Sequence, residues 1–349
     1  MRQGPQKGLL DWKVVVGLAL SAAALYWAFH DVHVDEVVRE IARADPLWFT
    51  ASVIAATSLF FIRAVRWHWL LEPIRPGIRY YPRMAATCIG FMANNLLPAR
   101  VGEFVRAFAL GRITGMRVSA AFGSLVVERL LDGIIVVAFL FGAMAAPGFP
   151  QTVGGGDIAV GARVVLAFLS VAGLVLVAIV LRPEAAVRIG RSIGGRVLPE
   201  AFRRPVVDAF EALVHGFSVL RSPRLMLVSL VWSVLLWGVG ALAFWLGFRA
   251  FGIDVPFVAA LFLQSIVALG VSVPSAPGFF GPFELAVKLG LVGVYGIPED
   301  RAVAFAIGFH LGGFVPITLI GIWFAWRVGL SREEVLHSEE IVEEEVEAG

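Results

Sequence analysis

Charged residues are scarce in this sequence, and cysteine is almost absent. Asp, Glu, Lys and Arg make up 16% of the 349 residues, against 58% hydrophobic residues, whereas a soluble domain carries roughly 25% charged residues. The single cysteine, Cys88, excludes a disulfide framework and a multi-cysteine metal site within these residues. No P-loop, Rossmann glycine motif or His-Glu-x-x-His zinc motif occurs, which argues against an ATP-driven pump in one chain. With a mean hydropathy of +0.82, the sequence predicts a polytopic membrane protein.

Long apolar runs recur along the chain, and a helix needs about 20 such residues to cross a membrane. We predict an all-α fold with six full membrane spans, near residues 12–30, 47–71, 119–146, 159–181, 224–248 and 302–328. A cleaved signal peptide is the alternative for the first span, which is longer than the usual apolar region of one. Two further segments, 84–97 and 256–273, each run into a Pro/Gly-rich break and a short second helix. We predict re-entrant hairpins there.

Basic residues concentrate in particular loops, and an excess of Lys and Arg marks the cytoplasmic side. The N-terminus, residues 75–83 and residues 182–224 are basic, whereas the loops 31–45 and 147–158 and the turn 249–255 are acidic or nearly uncharged. We therefore predict a protein of the cytoplasmic membrane with both termini in the cytoplasm. Because the basic residues border hydrophobic spans, nucleic-acid binding is not indicated.

We expect residues 1–330 to form one integral membrane domain. Within it, residues 184–222 place apolar side chains at helical spacing, which indicates an interfacial helix or a plain linker helix. The segment 331–349 is rich in glutamate and is predicted to be a solvated, disordered cytoplasmic tail.

The two predicted hairpins have similar sequences. Leu97-Pro98-Ala99-Arg100-Val101-Gly102-Glu103-Phe104 has its counterpart in Val273-Pro274-Ser275-Ala276-Pro277-Gly278, followed by Gly281-Pro282-Phe283-Glu284. With both termini on one side, the hairpins enter from opposite faces. We predict inverted repeats, about 47–146 and 224–328, as in transporters whose broken helices meet at the substrate site. Two coincidental Pro/Gly hinges are the alternative.

The polar residues of the first break are Asn94, Asn95, Arg100, Glu103 and Arg106. Pro98 and Gly102 interrupt the helix, so nearby backbone groups lose their partners, and the two amides can replace them. The helix that begins near Gly102 offers N–H groups to an anion, and the two arginines can bind phosphate bidentately. An anionic lipid head group would fit. The alternative is that the arginines bind cytoplasmic head groups, with Glu103 as their internal partner.

The third span contains Glu128, Arg129 and Asp132 within an apolar run. Charges there are costly unless paired or hydrated, and the two carboxylates share one helix face. An ion pair to Arg100 or Arg106 is one interpretation, and a polar path or proton exchange is the other. In span two, Arg63 and Arg66 stand among tryptophans, which favours snorkelling to head groups, although Arg63 is deep enough to face a cavity.

The second break is the segment from Pro274 to Glu284. It contains three prolines and two glycines in eleven residues, so no continuous helix can pass through it. Its candidate residues are Pro274, Pro277, Gly278, Gly281, Glu284 and Lys288. Glu284 and Lys288 are spaced for an intrahelical ion pair, which is the structural alternative to a binding role. His310 lies deep in the last span among glycines and either titrates near neutral pH or is a satisfied core histidine.

Together, these motifs resemble a flippase-like family that includes the membrane part of lysylphosphatidylglycerol synthase, the hopanoid-associated membrane proteins and an archaeal protein linked to dolichol-phosphate sugars. The resemblance covers roughly residues 12–328. It implies movement of a lipid between leaflets. Because the sequence ends about twenty residues past the last span, we expect a stand-alone member without the soluble aminoacyl-transferase domain, so lysyl transfer is not expected.

We therefore predict a lipid translocase that moves an anionic phospholipid or lipid-linked head group through a polar cavity between the two breaks. The predicted substrate-binding residues are Asn94, Asn95, Arg100, Glu103, Arg106, Glu128, Arg129, Asp132, Pro274, Pro277, Gly278, Gly281, Glu284 and Lys288, with Glu128 and His310 as proton-linked candidates. No catalytic residue, metal or cofactor is predicted. Membrane lipids are the expected partners, and a second copy or a separate lipid-modifying enzyme are further candidates. The alternatives are a membrane-embedded transferase acting on a polyprenyl-phosphate or phospholipid, and a non-transporting scaffold.

Overall fold

A computed structural model describes residues 12–97 except 31, residues 101–150, residues 222–331 except 274, and isolated positions within 152–192 and 334–341. The predicted span 159–181 lies outside the described residues, as do most of the segment 184–222, most of the tail, Arg100 and Pro274.

The described residues are almost entirely helical. In order they form α1 Trp12–Phe29, α2 Val34–Arg43, α3 Pro46–Leu71, α4 Tyr80–Leu96, α5 Gly102–Thr114, α6 Val118–Ala145, α7 Pro223–Ala250, α8 Phe257–Gly270, a 3-10 turn Pro277–Phe279, α9 Pro282–Lys288, a π-helical segment Leu289–Val294 and α10 Glu299–Arg327. A two-stranded antiparallel ribbon, β1 Thr152–Val153 and β2 Gly156–Asp157, follows α6. The all-α prediction is confirmed, and the helices at the predicted spans that fall in described residues have the predicted bounds to within a few residues. Three of these predicted spans are long and apolar enough by themselves to cross a membrane.

Four stretches are long and apolar enough to cross a membrane, namely Pro46–Leu71, Arg224–Ala250, Pro277–Val294 and Glu299–Arg327. The bent pair α1 and α2 is a fifth if it counts as one span, with 81° between its helices. Helix α6 has 28 residues, which is about 42 Å at 1.5 Å per residue, but it carries three charged residues near its middle. The protein is therefore a polytopic membrane protein.

The first helix of each predicted repeat begins in the same way. Asp45 precedes α3, and its Oδ1 accepts hydrogen bonds from the N–H groups of Leu47 and Trp48, with Pro46 in the first turn. Ser222 precedes α7, and its hydroxyl accepts from the N–H of Leu225, with a proline again at the first helical position. A side-chain cap followed by proline satisfies the free donors and fixes the helix start.

The helices of the two repeats pack reciprocally. Helix α3 packs along α7, α4 packs against α10, and α8 packs against α6. The first helix of each hairpin therefore contacts the last helix of the other repeat, which is the pattern expected of two repeats related by a pseudo-two-fold axis. One core cluster lies mainly in α3 to α6 and the other mainly in α7 to α10.

Each break separates two helices that fold back on each other, as the sequence predicts. Helix α4 packs closely on α5, and α8 packs on α9. A Cβ added at Gly102 would lie 2.2 Å from the carbonyl oxygen of Gly90, so only glycine permits this approach of the two backbones. At the second break, Gly278 and Gly281 have φ values of +71° and +99°, which favour glycine.

Two segments differ from their predictions. The acidic segment 31–45 is predicted as a loop, but it contains helix α2, whose Val34, Val38 and Ile41 are exposed. The tail is predicted to be solvated, yet at its described positions it contacts the membrane domain. Glu334 forms an ion pair with Arg112, and Ile341 packs against the first core cluster.

Candidate functional site

Seven charged side chains from three helices meet in the first repeat. They form what we name the charge cluster: Arg63 and Arg66 of α3, Glu103 and Arg106 of α5, and Glu128, Arg129 and Asp132 of α6. Buried charges are found in proteins only when they are paired or hydrogen-bonded. The cluster therefore requires these three helices to pack in one arrangement.

Glu128 lies at the centre of the charge cluster and has no exposed surface. Arg106 binds it bidentately, with Nη1 to Oε1 at 2.8 Å and Nη2 to Oε2 at 3.1 Å. Its Oε1 also lies 3.2 Å from Nη2 of Arg66 and 2.7 Å from Nη2 of Arg129. The guanidinium of Arg106 stacks over the ring of Trp67 at 4.1 Å, which adds a cation–π contact.

Asp132 is the second carboxylate of the charge cluster, one helical turn from Glu128. It binds Arg66 through both oxygens, and its Oδ2 lies 3.1 Å from Nη1 of Arg63. Helix α7 joins the cluster here, because Trp237 Nε1 donates to Asp132 Oδ1 at 3.0 Å and Ser233 Oγ lies 2.9 Å from Arg66 Nη1. The cluster thus connects the two repeats.

The charge cluster has an excess of positive charge. Its four arginines face three carboxylates, which leaves a net charge of +1 among these seven residues. Arg66 Nε and Arg106 Nε are buried without a hydrogen-bond partner among the described residues, and so is Oε2 of Glu103. Buried polar atoms without a hydrogen-bond partner are uncommon in proteins, and they favour a site that can receive a further polar group.

One edge of the charge cluster is accessible. The side chain of Arg129 is 41% exposed and that of Glu103 is 26% exposed, and the two are joined by a long contact of 3.7 Å. This edge lies beside the start of α5, where the first break ends. An anion can therefore reach Arg129 without disrupting the fully buried pairs.

At the first break, Asn94 replaces a lost backbone partner, as the sequence predicts for both amides, whereas Asn95 binds the last helix. The N–H of Gly102 donates to Asn94 Oδ1 at 2.9 Å, so this amide caps α5. Asn95 donates to Thr318 Oγ1 at 2.8 Å and to the carbonyl of Phe314 at 3.3 Å, which links α4 to α10. Because Asn94 occupies the Gly102 N–H, that group is not free for a ligand.

At the second break, His310 bridges two oxygens. Its Nδ1 lies 2.6 Å from Glu284 Oε1, and its Nε2 lies 2.8 Å from the carbonyl oxygen of Gly278. The other carboxylate oxygen of Glu284 accepts from the N–H of Gly281 at 2.7 Å. The rings of Phe280 and Phe283 lie 4.6 and 4.4 Å from the imidazole. These contacts hold the irregular backbone of the break against α10.

Several predicted pairings differ from the observed ones. The alternative of a Glu284–Lys288 pair is wrong, since Glu284 binds His310 and Lys288 Nζ lies 3.1 Å from Oε2 of Glu299. Glu103, considered as the internal partner of Arg100 and Arg106, contacts Arg129 instead. Of the two arginines considered as partners of the third span, Arg106 does bind Glu128. In these cases the partner comes from a different helix, so helical spacing alone could not identify it.

The sequence reasoning also missed residues of the site. Arg66 is fully buried, which contradicts snorkelling to head groups. Ser233 and Trp237 of α7 were not among the predicted site residues. The sequence did contain a signal for these contacts. Arg63 and Arg66 lie deep in a 26-residue apolar helix, and arginines at that depth require buried carboxylates as partners. Among the described residues, no group of three or more His, Cys, Asp or Glu side chains could hold a metal ion.

Comparisons with known proteins agree on one family. Residues 14–321 match the family model described as the lysylphosphatidylglycerol synthase transmembrane region. A UPF0104 membrane protein of Pyrococcus horikoshii is 23% identical over 88% of this chain and 94% of its own length. A UPF0104 membrane protein of Methanothermobacter thermautotrophicus is 24% identical over 83% of this chain and 86% of its own length.

A further relative carries the name of an enzyme. Glycosyltransferase AglD of Haloferax volcanii is 25% identical over 85% of this chain, but the match covers only 51% of that protein. The chain therefore spans about half the length of this relative.

Proposed function

Since the chain belongs to the lysylphosphatidylglycerol synthase transmembrane-region family, we propose that it is a translocase that moves an anionic phospholipid or lipid-linked head group between the leaflets of the cytoplasmic membrane. The observation that carries this proposal is the charge cluster, which lies beside the first break with a net charge of +1. A phosphate group would supply the missing negative charge, and arginine is well suited to bind it.

The accessible edge of the charge cluster is the proposed entry point. Arg129 meets Glu103 only at 3.7 Å, so a phosphate oxygen that binds Arg129 displaces a weak contact. The guanidiniums of Arg66 and Arg106 stay bound to their carboxylates and supply the positive field. Arg100, which lies outside the described residues, remains a predicted phosphate ligand.

The two breaks are the proposed gates. Irregular backbone at membrane depth is tolerated where it lies in protein or lines a wet cavity, and paired broken helices form the substrate sites of many transporters. Without a recognised ATP-binding motif, we propose that movement is passive or driven by a proton or potential gradient. We propose that both termini lie in the cytoplasm, as the arginine-rich segments indicate.

The experiment is a leaflet-exchange assay with the purified protein in liposomes. Fluorescent anionic phospholipid in the inner leaflet becomes accessible to dithionite only if the protein moves it outward. We expect Arg129→Gln to slow this step, because it removes the excess charge of the cluster, and Arg100→Ala to do the same. The matched control is Arg112→Gln, whose side chain is 54% exposed and pairs with Glu334. It should exchange lipid like the parent protein.

If the parent protein does not differ from empty liposomes with any anionic lipid tested, the translocase proposal is overturned. If Arg129→Gln and Arg112→Gln both keep the parent rate, the charge cluster is not the lipid site.

A membrane-embedded transferase is the second candidate, favoured by the name of the Haloferax relative. A transferase would convert a labelled polyprenyl-phosphate sugar or phospholipid to a new product in the same liposomes, with and without a divalent cation. Product formation without leaflet exchange would favour this candidate. If neither exchange nor product is found, and the protein co-purifies with a lipid-modifying enzyme, the scaffold candidate is favoured.

A further inference from the structure

The second break contains a buried titratable pair that the proposed function does not use. Glu284 is 2% exposed and His310 is 8% exposed. Both ring nitrogens of His310 face an oxygen atom, Oε1 of Glu284 at 2.6 Å and the Gly278 carbonyl at 2.8 Å. A carbonyl oxygen can only accept, so Nε2 must carry a hydrogen.

The short contact between Nδ1 and Oε1 also needs a hydrogen between the two atoms. It is supplied either by an imidazolium facing a carboxylate or by a carboxylic acid facing a neutral imidazole. In both states, the pair holds one proton more than a neutral histidine beside a carboxylate. If that proton leaves, a neutral histidine has one N–H for two oxygen partners. At the other contact, Nδ1 with Oε1 or Nε2 with the Gly278 carbonyl, two acceptors then face each other. We infer that Glu284 and His310 form a binding site for one proton, whose release opens the second break.

Among the described residues, few other groups could compensate for the lost proton. Three aromatic rings, those of Phe280, Phe283 and Phe314, surround the imidazole. The contacts of α3 and α4 with this part of α10 are uncharged, since Phe49 and Val53 face Gly312 and Asn95 binds the Phe314 carbonyl.

Several charged and titratable groups on the packed helices have partners elsewhere. Among them are Lys288, bound to Glu299; Arg63 and Arg66 of α3, bound to Asp132; Arg83 of α4, bound to backbone carbonyls of α3; and Tyr26 and His30 of α1, which contact each other.

The backbone of the break is strained, and hydrogen bonds to side chains help to hold its conformation. Gly278, Phe279 and Gly281 all have positive φ, and φ of Phe279 is +64°, which is unfavourable for a residue with a side chain. Side-chain contacts that hold them include His310 to the Gly278 carbonyl, Gly281 N–H to Glu284, and Ala276 N–H to Ser21 Oγ of α1, beside the backbone bond from Phe279 N–H to the Ala276 carbonyl. Two of these side-chain contacts involve Glu284 or His310. Loss of their shared proton therefore removes a main restraint on a strained segment.

The equivalent position in the first repeat cannot respond in this way. There, Arg106 of the hairpin binds Glu128 of the last helix, whereas in the second repeat Glu284 of the hairpin binds His310 of the last helix. Arginine stays charged at all physiological pH values, whereas histidine changes its charge within that range. Of these two described pairs, the one in the second repeat is therefore built to bind and release a proton.

The test measures access to the break and needs no lipid transport, so its outcome is independent of the proposed function. Ser275→Cys places a thiol in the break at a side chain that is 8% exposed and whose hydroxyl has no described partner. The native Cys88 is replaced by alanine. Asp254→Cys, at a side chain that is 93% exposed, gives the reference rate. The ratio of the two maleimide labelling rates cancels the ordinary pH dependence of the thiol.

We expect this ratio to rise roughly tenfold between the most acidic and the most alkaline buffer in which the protein stays folded, because the pair loses its proton as the pH rises. Glu284→Gln should keep the ratio low at every pH, since an amide N–H can donate to a neutral Nδ1 while the amide oxygen still accepts from Gly281. His310→Ala should give a high ratio at every pH. The inference is overturned if the parent ratio does not change with pH, or if Glu284→Gln, which keeps the shape of the side chain, shows the same change as the parent.

Discussion

Replacing Glu128 by glutamine tests how much the buried charge cluster stabilises the fold. The change keeps the shape of the side chain and removes one negative charge from a fully buried site. Arg66 and Arg129 keep Asp132 as a partner, but Glu128 is the one carboxylate that Arg106 contacts among the described ion pairs. Breaking a buried pair by removing one partner costs about 3–5 kcal/mol. We expect Glu128→Gln to lower the free energy of unfolding by that amount.

Glu103→Gln is the matched control, since it makes the same chemical change in the same cluster. The Glu103 side chain is 26% exposed and meets Arg129 at 3.7 Å, and exposed pairs contribute about 0–1 kcal/mol. Both variants are compared by reversible unfolding in mixed micelles. Adding Arg106→Met to Glu128→Gln should recover part of the loss, because it removes the unpaired guanidinium. Equal costs for the two glutamine variants, or no recovery in the double variant, would refute the reasoning.

Two glycine substitutions test close helix packing by thermal unfolding. Gly102→Ala would place a Cβ 2.2 Å from the Gly90 carbonyl oxygen. We expect overpacking to lower the free energy of unfolding by about 1–3 kcal/mol. The control is Gly142→Ala, where the added Cβ meets open space, and it should be neutral or stabilising by up to about 1 kcal/mol. Gly321→Ala would place a Cβ 2.3 Å from a methionine of α4 and should cost a similar amount, whereas Gly313→Ala, again with open space, should not. If the two variants of either pair unfolded at the same temperature, the close packing at Gly102 or at Gly321 would be contradicted.

The membrane architecture could be predicted because its signals are local. Apolar length fixes where a span begins and ends, and proline with glycine fixes where a helix must stop. The bounds of α3 and α10 and both breaks follow from such patterns. Helix α2 was missed because its acidic residues indicate an exposed segment, and exposure does not exclude a helix.

Most of the charge pairing could not be predicted, because it depends on contacts between distant segments. Asp132 binds Arg66, which is 66 residues away, and receives a hydrogen bond from Trp237, which is 105 residues away. Spacing along one helix instead suggested a Glu284–Lys288 pair. That pair is a plausible choice for an isolated helix, where an exposed i, i+4 contact contributes only about 0.2–0.5 kcal/mol. In the protein, a buried histidine on α10 is the closer and better shielded partner.

The reversed charges of the two hairpins matter for any model of transport. In both repeats, the second helix of the hairpin is tied to the last helix by one buried pair, Arg106 to Glu128 and Glu284 to His310. Two identical pairs would give both hairpins the same response to pH. With a permanent pair in one and a titratable pair in the other, release of a proton would loosen the second break while the first keeps its charge. Such a difference between otherwise equivalent halves is what a proton gradient would need to act on one of the two proposed gates at a time.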